Sequence, residues 1–474
     1  MKSYGMWLLF FIHSHLSLPK PSMATTVRTS NRETDKQSLL AFKNNLDNGS
    51  PVLSSWNESI PYCKWEGVYC CHRHPQRVCE LELPSSGLVG SISHYIGNFS
   101  YLRSIDLGDN NLYGIIPSSI GYLHRLQHLR LMNNSLSGTF PANLNNCSQV
   151  VNLSLASNQL SGILPSWLGH FRKLELLKLD SNNFTGDIPL SFANLSSLYE
   201  VNLEKNHLSG SIPSNLGQIG QLHILSLGEN DFSGFIPESL YNLTYLLALS
   251  LALNNFHGRL PSDMGTCFLN LKQLFLGENQ LIGEIPASLS NASFIRILDL
   301  GENKFSGTIP AEIGKLCPEI FNVFLNNFEA KVTADWNFLN FFTNCSSLRI
   351  MRLGDNKLGG LFPSTIVNLT SQLEFLDIEL NYIIGEISSG IEKLVGLSTL
   401  AFDGNYLTGS IPEGIGKLQN LQGLYLGTNN FSGSIPFSIG NLTKLNIFTA
   451  GQNHLMGSIP SSIGNLTQLA FLDK

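Results

Sequence analysis

The chain has 474 residues, a formal net charge of −6, 43% apolar residues and 14% charged ones, where about 25% charged is usual for soluble domains. This apolar content excludes intrinsic disorder, which needs low hydrophobicity and high charge, and the acidic balance argues against a nucleic-acid binder, which carries a basic excess. With 42 Gly and 46 Asn, the composition is not that of several ordinary globular domains in a row.

The chain opens with Lys2 and the apolar run 6–12 (MWLLFFI), followed by small residues near Met23 and Ala24. Residues 1–24 are read as a signal peptide. No later stretch approaches 18 uninterrupted apolar residues, so no later segment is expected to span a membrane. Residues 25–77 are read as an N-terminal cap. Within it, 35–46 (DKQSLLAFKNNL) has the pattern of a short amphipathic helix, and Trp56 and Trp65 follow. A bridge between Cys63 and Cys70 would close a loop of eight residues and contribute about 2.5 kcal/mol in the chain-entropy model. Whether Cys71 pairs with Cys79 is left open. Zinc ligation by these cysteines with His72 and His74 lacks a paired C-x-x-C spacing, so no metal or other cofactor is expected. Cys147, Cys267, Cys317 and Cys345 precede strands and are read as small, buried free thiols.

Residues 78–474 repeat. Asn110, Asn134, Asn158, Asn182, Asn206, Asn230 and Asn254 recur every 24 residues within the frame L-x-x-L-x-L-x-x-N-x-L-x-G-x-I-P, and Asn279, Asn303, Asn326, Asn356, Asn381, Asn405, Asn429 and Asn453 continue the column. This makes about 16 turns. The L-x-L alternation has the strand period of two, so the leucines face one side and stack from turn to turn into a parallel sheet. A buried Asn carries both donors and an acceptor to satisfy the backbone where the chain leaves that sheet. No turn has a core of its own, so the fold class is an α/β leucine-rich-repeat solenoid, a right-handed horseshoe or superhelix with a parallel β-sheet on its concave face and a cysteine-paired cap. Sixteen strands at about 4.8 Å give an inner sheet roughly 75 Å long.

Sequons of the form N-x-S/T recur through the chain. Those assigned to glycosylation are Asn57, Asn98, Asn194, Asn242, Asn291, Asn368, Asn441 and Asn465. Asn133 and Asn152 project from the inner sheet, where sugar would obstruct binding. At the other end, Lys474 occupies a core leucine slot and the next ladder Asn would fall three residues beyond it. A truncated gene product or gene-model fragment is expected.

The repeat frame together with Cys63-x-Trp65-x-Gly67-Val68-x-Cys70 resembles the ectodomain of plant leucine-rich-repeat receptor-like Ser/Thr kinases over residues 34–474. The irregular stretch from Asn326 through Trp336 to Cys345 resembles the subfamily of the flagellin and elongation-factor peptide receptors. The resemblance implies a cell-surface, extracellular sensor for a peptide or protein, in immune or developmental signalling. It also implies a co-receptor kinase with a short leucine-rich-repeat ectodomain as partner, and a membrane helix and kinase outside this chain. Alternatives are a secreted inhibitor or decoy, resembling polygalacturonase-inhibiting proteins, or a nonfunctional gene fragment.

Residues flanking the strand leucines face the concave side, the usual binding surface of such solenoids. From Phe275 onward aromatic and acidic residues alternate there. The candidate ligand-binding set is Phe275, Asp299, Glu302, Phe324, Arg352, Asp355, Phe375, Asp377 and Tyr425, suited to an extended, basic, partly apolar peptide. No G-x-S-x-G, H-E-x-x-H, Walker A or kinase motif occurs, and Gly414-Ile-Gly416-Lys417 lacks the glycine spacing of a phosphate loop, so no catalytic residue is assigned.

Overall fold

The computed structural model describes residues 31–47 and 50–473; the segment read as a signal peptide lies outside the described residues. Each turn crosses three sides. Short strands such as His128–Arg130 and Asn152–Ser154 join one 18-stranded sheet. Neighbouring strands are parallel and in register, with Leu129 opposite Leu153 and Leu153 opposite Leu177, so the leucines stack into one continuous buried column. The exception is the first pair, Val68–Cys70 against Val78–Glu82, which is antiparallel.

A second, 14-stranded sheet runs along the adjacent side. The sequence frame alone does not announce it, because its strands, such as Ser135–Gly138 and Gln159–Ile163, carry only one buried leucine each. Glycine ends or interrupts these strands at positive φ, 83° at Gly138 and 85° at Gly162, a conformation that side chains with a Cβ rarely adopt. The proline of I-P then precedes a 3-10 helix: Pro141, at φ −67°, leads into Ala142–Asn146. Its fixed φ suits that entry, and Leu144 enters the core from the third side.

The ladder asparagines cross-link successive turns. Asn206 donates from Nδ2 to the carbonyls of Leu179, Leu203 and Glu204 at 3.0–3.1 Å, while its Oδ1 accepts from the Phe184 amide of the preceding turn at 3.0 Å. The residue before every ladder Asn from Asn110 to Asn453 is left-handed, as at Lys205 (φ 55°), Glu278 (φ 54°) and Glu302 (φ 52°). This tight exit from the strand brings the Asn side chain under the carbonyls it serves.

The first turn is covered by the helix Asn31–Asn44, with Leu39 and Phe42 fully buried, and by the stacked rings of Trp56 and Trp65, 5.4 Å apart. Asp35, fully buried, receives Arg77 Nε at 2.9 Å and Nη2 at 3.0 Å and the Val78 amide at 2.9 Å. This group ties the cap helix to the first parallel strand. Cys63 is bridged to Cys70 and Cys71 to Cys79.

The turn between Asn326 and Asn356 is the longest, holding the 3-10 helix Thr333–Trp336 and the helix Phe338–Phe342. Cys345 in this turn is bridged to Cys317 in the turn before it, which corrects their reading as free thiols. Both precede strands in successive turns, so stacking brings their Cα atoms to 5.0 Å. Cys147 and Cys267 have no cysteine in an adjacent turn and are free; Cys147 is buried as expected, whereas Cys267 is only half-buried.

Candidate ligand-binding face

Strand register places Phe275, Asp299, Asn322, Arg352 and Asp377 side by side along the concave sheet, each between two buried core residues. Two pairs within this row are linked. Asn322 Nδ2 donates to Asp299 Oδ1 at 2.7 Å, and Arg352 Nε donates to Asp377 Oδ2 at 3.3 Å. The Arg352 guanidinium carbon lies 4.2 Å from the Phe324 ring centre and 5.9 Å from that of Phe375, so an aromatic wall holds this cation by attraction to the ring faces.

Asp377 is only 2% exposed. Its carboxylate pairs with Arg352 and accepts the Glu379 amide at 3.1 Å, so in the free chain it is the buried partner of Arg352. Burial pushes the Asp377 and Asp403 carboxyls up from the usual range. Glu379 is pushed up to about 7 by burial and then by the negative charges of Asp377 and Asp403, with Arg352 opposing. These acids are therefore partly desolvated, and a hydrogen bond with Glu379 opposes the rise at Asp403, unlike a freely solvated acidic surface.

Phe275 belongs to a separate depression of about 350 Å³. Small residues make it: Ser226, Ser250 and Ala252 lie between Phe275 on one side and Glu204 on the other. Ser250 Oγ donates to Glu204 Oε1 at 2.5 Å. The candidate set did not include Glu204, and the signal for it was the run of small side chains in the concave column beside it. Glu302 and Asp355 occupy the left-handed positions before the ladder, at the rim where the chain leaves the sheet. Asp355 adds to the negative field at Glu379. Tyr425 stands two strands beyond Asp377, its ring over Gly423, where a Cβ would come within 2.8 Å of it. The structure thus brings Asp299, Phe324, Arg352, Phe375 and Asp377 together, leaves Phe275 and Tyr425 on either flank, and adds Glu379 and Asp403.

A solenoid with an asparagine ladder and a tryptophan-containing, disulfide-bridged cap defines a leucine-rich-repeat protein. A leucine-rich-repeat N-terminal domain model matches residues 32–71, and leucine-rich-repeat models match 148–208 and six further segments from 101–123 to 420–442. The plant peptide hormone receptor RGFR1, solved with RGF2, is 33% identical with a TM-score of 0.77, covering 87% of this chain and 68% of that one. The Arabidopsis receptor kinase HAESA, solved with the peptide hormone IDA and the co-receptor SERK1, is 29% identical with a TM-score of 0.59, covering 93% and 89%. The Arabidopsis thaliana LRR receptor-like serine/threonine-protein kinase EFR is 47% identical over 97 residues, 20% of this chain and 9% of EFR. The chain belongs to the family of plant leucine-rich-repeat receptor ectodomains. The matched segments span less than a tenth of the length of curated relatives such as EFR. Every family match falls on the cap or the repeats, and no helix among the described residues is long and apolar enough to cross a membrane.

Proposed function

We infer that this chain is the extracellular, ligand-sensing part of a receptor-like kinase. The observation that carries this reading is the row of concave side chains that runs from the Phe275 depression, past the Arg352 cation beside Phe324 and Phe375, to Glu379 and Asp403. The ligand that fits is an extended peptide with an apolar side chain for the depression and a basic residue for the acidic end. RGFR1 and HAESA, both solved with peptides, support a peptide ligand, and the SERK1 of the HAESA complex supports a co-receptor. The bridged cysteines support a secretory route.

Glycans fit the same reading. Asn98, Asn194, Asn242, Asn291, Asn368, Asn441 and Asn465 each end a 3-10 helix on the outer side and are exposed. Asn152 starts a concave strand. Peptide mapping of the chain secreted from plant cells is expected to find sugar on outer-side asparagines and none at Asn152. Occupancy at Asn152 would contradict an open concave face.

Selection from a random peptide library against the chain tests the ligand class. The expected consensus is net positive with one apolar anchor; an acidic or featureless consensus would remove the acidic track from the reading. Binding a cation to this end favours ionised Glu379. With the folded carboxyl at about 7, binding below that pH must release a proton. Affinity for the selected peptide is expected to rise several-fold from pH 5.5 to 7.5, and Glu379→Gln to flatten the rise. In the free chain the sign is opposite: because folding raises this group, its contribution to stability is largest below the usual carboxylate range and is lost as pH climbs toward 7.

A further inference from the structure

At the cap end lies a cavity of about 890 Å³ that the concave track does not use. Its walls hold Arg73, Arg103, Arg125, His72 and His74 against a single carboxylate, Glu80. In a chain of net charge −6 this concentration of three arginines stands apart. None of the three arginines meets a carboxylate within ion-pair distance among the described residues.

These side chains are held by covalent and stacking constraints. The bridge Cys71–Cys79 closes the loop that carries His72, Arg73 and His74, and Cys63–Cys70 anchors the strand leading into it. Tyr101 stands where the loop meets the repeats: Arg77 lies 4.6 Å and Arg125 4.3 Å from its ring centre, and the His74 ring lies 4.7 Å away. Arg77 is already paired with Asp35, but Arg125 is not. Stacking occupies the face of a guanidinium and leaves its N–H edge for a planar anion, which arginine binds bidentately.

We propose that this cavity is a second binding site, for the carboxylates of an acidic saccharide of the polyuronate class. Its cations come from the loop and from two successive turns, so they suit a linear polyanion rather than one compact anion. Among its walls the exposed Tyr69 ring and the rings of His72 and His74 lie with the guanidiniums, surfaces against which the C–H faces of sugar rings can lie. It offers no deep apolar pocket of the sort that anchors peptides. The proposal is independent of the peptide track, which lies many turns away.

Titration calorimetry of the secreted chain with a size-defined oligogalacturonate tests it, with a neutral oligoglucan and an oligo-glutamate peptide of equal charge as parallel probes. Oligogalacturonate is expected to bind more tightly than either, and to weaken as salt is raised. The double variant Arg103→Gln/Arg125→Gln should lose about tenfold or more in affinity, the scale of charge-assisted hydrogen bonds, and Arg73→Gln severalfold. All three side chains are exposed, so these variants should keep the circular dichroism and melting of the parent. Arg73→Gln on its own loop serves as the second probe should the double variant misfold. No binding of oligogalacturonate, binding insensitive to both variants, or equal or tighter binding of oligo-glutamate would each overturn the proposal, the last in favour of an acidic peptide. Peptide selection at the concave track is unaffected by any of these outcomes.

Discussion

Asp35→Ala is expected to lower the unfolding free energy by about 3–5 kcal/mol, the usual effect of removing one partner from a buried ion pair. Arg77 would be left with 11% side-chain exposure and no carboxylate, and the Val78 amide would lose its acceptor. The cap would loosen first. Urea unfolding followed by tryptophan fluorescence reads this directly, because Trp56 and Trp65 are both buried in the cap. Replacing both partners with apolar residues of similar size should recover much of the loss, since the pair itself contributes little net stability once desolvation is counted. A loss below about 1 kcal/mol for Asp35→Ala would place the cap's attachment in its apolar contacts instead.

The second large effect concerns the ladder. Asn206→Ala removes donors to three carbonyls and the acceptor for the Phe184 amide, at a site 6% exposed. The expected cost is about 3 kcal/mol, the scale for buried polar groups left without partners. Asn206→Asp should be worse than Ala, because it puts a carboxylate against three carbonyl oxygens. If Asp were tolerated better than Ala at neutral pH, the donors of Nδ2 would not be what the turn requires. Unfolding of both variants in denaturant, with attention to loss of a single transition, checks the order. Neighbour-coupled turns can uncouple when one interface weakens.

Much of this architecture was legible in the sequence because each structural need recurs in phase. The leucine pair, the ladder Asn, the glycine at positive φ and the proline before the 3-10 helix all mark the period. The second sheet was harder to read, since its short strands bury one residue per turn and leave no alternating pattern. The Cys317–Cys345 bridge was readable in principle from phase: both residues precede strands in neighbouring turns, although they lie in the least regular part of the chain. The concave candidates were read as columns, which located Asp299, Arg352 and Asp377 in one row. Burial within the row was not readable. Asp377 looks like any surface acid until Arg352, one strand away and braced by Phe324, covers it. Glu204 was missed because its importance comes from the small residues two turns on, which make the depression it borders.

The central claim is that ligand lies on the concave track between Phe275 and Asp403. Hydrogen exchange of the secreted chain, with and without a library-selected peptide, tests it most directly. The account predicts added protection on the concave strands from Gln273–Phe275 to Thr399–Ala401, lost in Phe324→Ala, with the outer 3-10 helices unchanged. Protection confined to those helices, or to the second sheet, would contradict it.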